Sequence, residues 1–230
     1  ASTTGAEAYA RAMSLCSQHE SGPEMFRAVW GLWASASSRT DYAHALKLAQ
    51  QLLRMAGKSG DPVQDQQGHF AMADTLYWQG EFTAAREHLE RVGTLYQRSQ
   101  HQSHVAEFGE DAGVTSGSYL SWVLWFLGFP DQARKTSERT LALARQLEHP
   151  FSLAYALTFA SILHCRLRRP EEALVSSPRA SQTRTAHGFP LWHIGATLSH
   201  GWALAMQNRP EGVTSLQQCV AATRGAMGGV

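Results

Sequence analysis

The segment His101-x-x-His104, followed by Glu107, Glu110 and Asp111, gathers two imidazoles and three carboxylates in a short stretch of chain. Those side chains could hold a divalent ion or move protons. No H-E-x-x-H spacing accompanies them, so the segment reads as a polar, hydrogen-bonded loop that plugs a groove. Gly113-Val114-Thr115-Ser116-Gly117-Ser118 lacks the G-x-S-x-G elbow of a serine hydrolase and reads as a capped helix start. There is no G-x-x-x-x-G-K-[ST] loop to cradle phosphates. His164 and His200 read as interior histidines, whereas His69 and His193 stand where they could reach a groove. Cys16, Cys165 and Cys219 are far apart and form no Cys-x-x-Cys pair. The expectation is a non-enzyme with no metal and no cofactor.

Composition narrows the partners. The 230 residues are 43% hydrophobic and 17% charged, enough for a packed core. A formal net charge of +1 lacks the basic excess a general nucleic-acid binder uses to displace counterions. The longest apolar stretch, Tyr119 to Phe129, is far shorter than the roughly 20 residues of a membrane span. Ala6 to Met13 already reads as helix, as though the chain were cut from a longer protein.

The prolines set out what positions these residues. Pro130, Pro170 and Pro210 are forty apart, and Pro150 and Pro190 fall midway between them. Proline suits the first turn of a helix and disrupts its interior. Asp131, Glu171 and Glu211 follow three of the prolines, where the helix dipole favours an acid. Upstream, Thr40-Asp41-Tyr42-x-x-Ala45 and Gly80-Glu81-Phe82-x-x-Ala85 occupy the same slot, so small residues recur at 45, 85, 133, 173 and, with Val, 213. One insertion interrupts the period between Gln97 and Gly113. A forty-residue period of paired helices predicts an all-α, right-handed α-solenoid in a single repeat domain. Its parts are a leading helix within 1–21, hairpins at 22–61, 62–97, 113–149, 150–189 and 190–226, and an inserted loop at 98–112. Pro178 falls inside a predicted second helix and predicts a bend near Ser176–Pro178.

Each hairpin resembles a tetratricopeptide (TPR) unit, W-x2-L-G-x2-Y, then A-x3-F, then P. His200-Gly201-x-x-Leu204, Leu120-Ser121-x-x-Leu124 and Met72-Ala73-x-x-Leu76 fill the L-G-x2-Y slot. The pattern departs where Ala49, Ser137, Ser177 and Gln217 replace the aromatic of A-x3-F. A narrower resemblance rests on Gly68-His69, Asp74-Thr75-Leu76-Tyr77-Trp78-Gln79-Gly80-Glu81-Phe82, Ser103-His104, Leu124-Trp125-x-Leu127-Gly128, His149-Pro150-Phe151 and Gly188-Phe189-Pro190-Leu191-Trp192. These are similar to the C-terminal repeats of large bacterial signalling proteins that join a class III nucleotide cyclase, or a kinase, to an ATPase domain. The resemblance implies a cytoplasmic regulatory or scaffold module.

In such a repeat the first helices line the binding wall. The frame puts Tyr77, Trp78, Trp122, Trp125, Phe126, Tyr155 and Trp202 on or near it, with Asp74 and Arg166 among them. Large, rotationally simple aromatics suit binding anchors, and the competing reading is packing between consecutive first helices. The expected partner is a protein or peptide segment, or an adjacent domain of the parent chain. It is not nucleic acid or membrane. A small-ligand sensor using the same groove is the alternative. Arg166, Arg168, Arg169, Arg179 and Arg184 form a basic patch that is either a solvated face or a site for an acidic peptide. The two end helices lack polar caps and predict end-to-end self-association.

Overall fold

The computed structural model describes Arg11 and residues 22–227 apart from 185–189, without the side chains of 178–193 and 223–227. Every regular element among the described residues is a helix. The predicted leading helix lies outside them except for Arg11. Two compact units divide the chain, 1–127 and 128–230.

Unit 1 contains α1 (Pro23–Ser38), α2 (Tyr42–Ser59), α3 (Pro62–Gln79), α4 (Phe82–Leu95), α5 (His101–Phe108) and α6 (Ala112–Phe126), with a short 3-10 turn at Arg98–Gln100 before α5. Unit 2 contains α7 (Pro130–Gln146), α8 (Pro150–Arg166), α9 (Pro170–Arg184), α10 (Pro190–Met206) and α11 (Pro210–Met227). In unit 1, α1–α2 and α3–α4 are hairpins, and the first helix α3 also meets the first helices α1 and α6. In unit 2, α8–α9 and α10–α11 are hairpins, and α8 meets α10 directly.

Local chemistry sets the helix ends. Pro62 opens α3, and the Asp61 carboxylate accepts from the Val63 N–H. The Asp41 carboxylate accepts from the His44 N–H, and Asp111 from the Val114 N–H, filling orphan donors at the starts of α2 and α6. A left-handed residue breaks the chain at Thr40, Gly80, Gly128, Arg168 and Asn208, repeating the steps of the small-residue series. At four of these turns the next N–H reaches back to close the helix end: Asp41 to Ala36, Glu81 to Leu76, Arg169 to His164 and Arg209 to Leu204.

Ala45, Ala85, Ala133 and Ala173 are all fully buried, as small contact residues should be. The fifth position differs: Val213 is 51% exposed. Its neighbour Gly212 takes the contact, because a Cβ there would lie 2.4 Å from the Ala205 nitrogen. The contact face of α11 has therefore moved by one residue, and only glycine fits it. The helix α9 runs through Pro178 to Arg184 without a break. Where the sequence predicts an inserted loop at 98–112, the chain forms the eight-residue helix α5.

Candidate functional site

The first helices of unit 1 are joined by aromatic rings. Trp33 meets Phe70 at 6.0 Å, Phe70 meets Tyr119 at 5.9 Å, and Tyr119 meets Tyr77 at 5.2 Å. Tyr77 then contacts Trp122 at 6.1 Å and Phe126 at 6.0 Å. The candidate wall residues divide along this chain. Tyr77 and Trp122 are buried packing, as is Asp74. Trp125 is half-buried, whereas Trp78 is 48% and Phe126 41% exposed. Each exposed ring is backed by another: Trp78 stacks on Tyr42 and Phe126 on Phe82, the latter at 4.4 Å. The other three candidates lie in unit 2. Tyr155 is buried and stacked on Phe159 at 4.7 Å, and Arg166 and Trp202 are half-buried.

Asp74 ties the exposed edge to the core. Its carboxylate accepts from the Ser37 hydroxyl at 2.8 Å and from the Trp78 indole N–H at 3.2 Å. Burial raises its pKa, opposed by hydrogen bonds from Tyr119, Ser37 and Trp78. Glu110 shares this acidic neighbourhood. Burial, then the charges of Asp74 and Asp111, pushes its carboxyl up to about 8. A carboxyl held there keeps its proton through neutral pH.

The segment singled out for its histidines and acids folds onto α1 and α3. The rings of Phe26 and Trp30 meet Phe108 at 6.3 and 5.4 Å. His104 is fully buried, with its Nδ1 3.3 Å from Gln67 Nε2. Burial lowers its pKa, which favours the neutral ring. Glu107 pairs with Arg27 at 3.8 Å across an exposed edge, a contact of small energetic weight. Both ends of the segment are held by Asp111, which accepts from the Tyr96 hydroxyl at 3.0 Å and meets His101 Nδ1 at 2.8 Å. Of the candidate metal ligands, His101 and Asp111 pair with each other while His104 and Glu107 turn to Gln67 and Arg27, and among the described residues no group of three His, Cys, Asp or Glu could hold an ion.

His69 makes a second polar junction, on the side of α3 facing α4. Its Nδ1 lies 2.8 Å from His88 Nδ1, and its Nε2 3.5 Å from Asp65. Burial lowers the pKa of both rings, so one nitrogen donates to the other as a neutral pair. His164 is half-buried, and the Ser177 hydroxyl lies 3.2 Å from His200 Nδ1. The side chains of His193, Arg179 and Arg184 lie outside the described residues. Cys165 and Cys219 are both half-buried. Sequence reasoning passed over Trp30, Gln66, Gln67 and Phe108. The signal for the last was present: a lone aromatic in a polar insertion needs somewhere to be buried.

No family model and no curated protein sequence matches the chain. Its fold does match solved structures. BtubC (BKLC) from P. vanneervenii superimposes with a TM-score of 0.64 at 17% identity, over 99% of this chain and 90% of that one. Kinesin light chain TPR-like repeats from Podosopora anserina give 0.59 at 14% identity, over 93% and 100%. The apo form of RapI gives 0.60 at 10% identity, over 93% of this chain and 58% of its own. At such identities the likeness establishes the fold, an all-α helical repeat of the TPR-like solenoid type. Among the described residues, no helix is long and apolar enough to cross a membrane.

Proposed function

We propose that the chain is a non-catalytic interaction module that holds a peptide or protein segment on the first-helix face of unit 1. In this reading it serves as the regulatory or scaffold part of a larger bacterial signalling protein of the cyclase–ATPase or kinase–ATPase kind, in the cytoplasm. The observation that supports it most is the pairing of exposure with rigidity. Trp78 and Phe126 leave large ring area in solvent, yet each is stacked on a neighbour and therefore pre-ordered. Binding to such rings costs little rotamer entropy, which is how aromatic anchors dominate interfaces. Asp74 orients the Trp78 indole from behind, so the ring is aimed as well as exposed.

The test is a pull-down from source cells with the wild-type chain and with Trp78→Ala combined with Phe126→Ala. A protein retained by the first and lost by the second, at matched melting temperature, is the expected result. Equal retention by both would move the binding surface away from these rings.

A further inference from the structure

The contact of α5 with α1 and α3 rests on a few side chains and is poorly matched in its polar groups. Phe108 fills the space beside Phe26 and Trp30. At this contact three buried side-chain atoms have no hydrogen-bond partner among the described residues: Trp30 Nε1, Gln67 Oε1 and His104 Nε2. Gln67 and His104 are fully buried residues. Buried polar groups are satisfied in the great majority of cases, and each that is not weakens the contact around it.

The chemistry of the unpaired atoms on the face is specific. The Gln67 carbonyl oxygen needs a donor, and the Trp30 indole N–H needs an acceptor. Helix α5 is a poor source of either, since a helix spends most of its backbone groups on its own i to i−4 ladder. An extended peptide presents free N–H and C=O groups along its length.

We propose that α5 is a displaceable occupant of the α1–α3 face. The partner this face fits is an extended peptide whose aromatic side chain takes the place of Phe108, while its backbone pairs with Gln67 and Trp30. The insertion would then set a threshold for binding, since the peptide must first lift α5. Its ends can stay anchored meanwhile, because Tyr96 and Asp111 join outside the helix itself. This inference rests on the peptide-binding reading above and adds its gate and the form of the ligand.

The test uses the full chain and twelve-residue synthetic peptides with a fixed central Phe or Trp. One set carries flanking prolines that keep it extended, and a second is alanine-rich and helical. Affinities are measured by fluorescence anisotropy for wild type and for Phe108→Ala. They are also measured for Gln67→Leu in the Phe108→Ala background, and for a chain tethered by a short bismaleimide between Arg27→Cys and Glu107→Cys, with the native cysteines changed to serine. Hydrogen exchange over 101–108 reports whether α5 is docked.

The extended set should bind Phe108→Ala about tenfold more tightly than wild type, and lose about tenfold on adding Gln67→Leu. The tethered chain should not bind it. Equal affinity for wild type, Phe108→Ala and the tethered chain would overturn the gate while leaving the interaction function standing. Preference for the helical set would overturn the extended ligand. Protection of 101–108 in Phe108→Ala as strong as in wild type would show that α5 does not leave. Freely exchanging α5 amides with no peptide bound would overturn the gate, since α5 would then not occupy the face, and would leave the proposed function standing.

Discussion

The two units solve the same packing problem with different side chains. In unit 1 the first helices meet through rings, in the chain from Trp33 through Phe70, Tyr119 and Tyr77 to Trp122 and Phe126. In unit 2 small groups take part in the contact between the described first helices. A Cβ on Gly195 would stand 3.1 Å from the Ile162 side chain, and the Cys165 thiol donates to the Ser199 carbonyl at 3.7 Å. In α8, Phe151 meets Tyr155 and Tyr155 stacks on Phe159 along the helix. Rings that bridge helices leave outer faces free and hold helix backbones apart. Glycine and serine let backbones close and leave little surface behind. The consequence is that unit 1 can present a face and seat an inserted helix.

Removing a bridge should have the largest effect. Trp122→Ala deletes a 6% exposed ring and should destabilise unit 1 by ~3–5 kcal/mol, read as a large fall in the denaturant midpoint. A midpoint little changed would mean that the ring chain is not what joins these helices. The matching change in unit 2 is Gly212→Ala. Its Cβ would meet backbone nitrogen 2.4 Å away, and overpacking of this kind costs ~1–3 kcal/mol. A stabilising effect there, as expected at an unconstrained helical glycine, would show that the close approach is not needed.

The next prediction concerns pH and is confined to unit 1. The Glu110 carboxyl titrates near pH 8 when folded but near 4.5 in a model peptide. The folded chain therefore binds more protons between these values. The stability this group contributes is complete below pH 4.5 and is lost as pH rises to 8. Glu110→Gln stays neutral throughout, so its melting temperature should exceed that of wild type by a gap that opens by several degrees from pH 5 to pH 8. A gap constant with pH would remove Glu110 from the buried acidic group. His69, His88 and His104 act in the opposite sense. Their pKa values are lowered, so their contribution is lost as pH falls below about 6.5.

The smallest stability effect belongs to the exposed anchor. Trp78→Ala should leave the melting temperature within a few degrees of wild type while weakening partner binding by ~2 kcal/mol or more. The reverse pattern, with melting lowered and binding intact, would make Trp78 part of the scaffold like Trp122.

The helical hairpins were legible because proline and acid mark helix starts by local backbone chemistry, which a sequence displays directly. The burial of Ala45, Ala85, Ala133 and Ala173 follows from the same period. The shift from Val213 to Gly212 did not show, because the rotation of a helix by one residue is set by its neighbours. The wall residues were assigned by helix, and their depth was not available from that frame. Tyr77 and Trp78 are adjacent in sequence, yet one is core and the other half in solvent, since neighbours on a helix point about 100° apart. The fold of the insertion was also hidden. An eight-residue polar segment is too short to be stable as a helix by itself. It becomes one here by burying Phe108 and His104 on α1 and α3.

The hydrogen bond that joins Tyr96 to Asp111 has an evolutionary consequence. It fastens the two ends of the insertion independently of the residues between them. Gly113 makes room for the Tyr96 ring, since a Cβ there would come within 2.7 Å of it. The clasp is thus built mainly from frame residues, with His101 the α5 residue that joins it, and the rest of α5 can drift, lengthen or be exchanged while both ends of the insertion stay fastened. A chain organised this way behaves as a cassette holder. New specificities could be acquired one insert at a time, and a library of inserts grafted between Tyr96 and Asp111 would sample them on a constant scaffold.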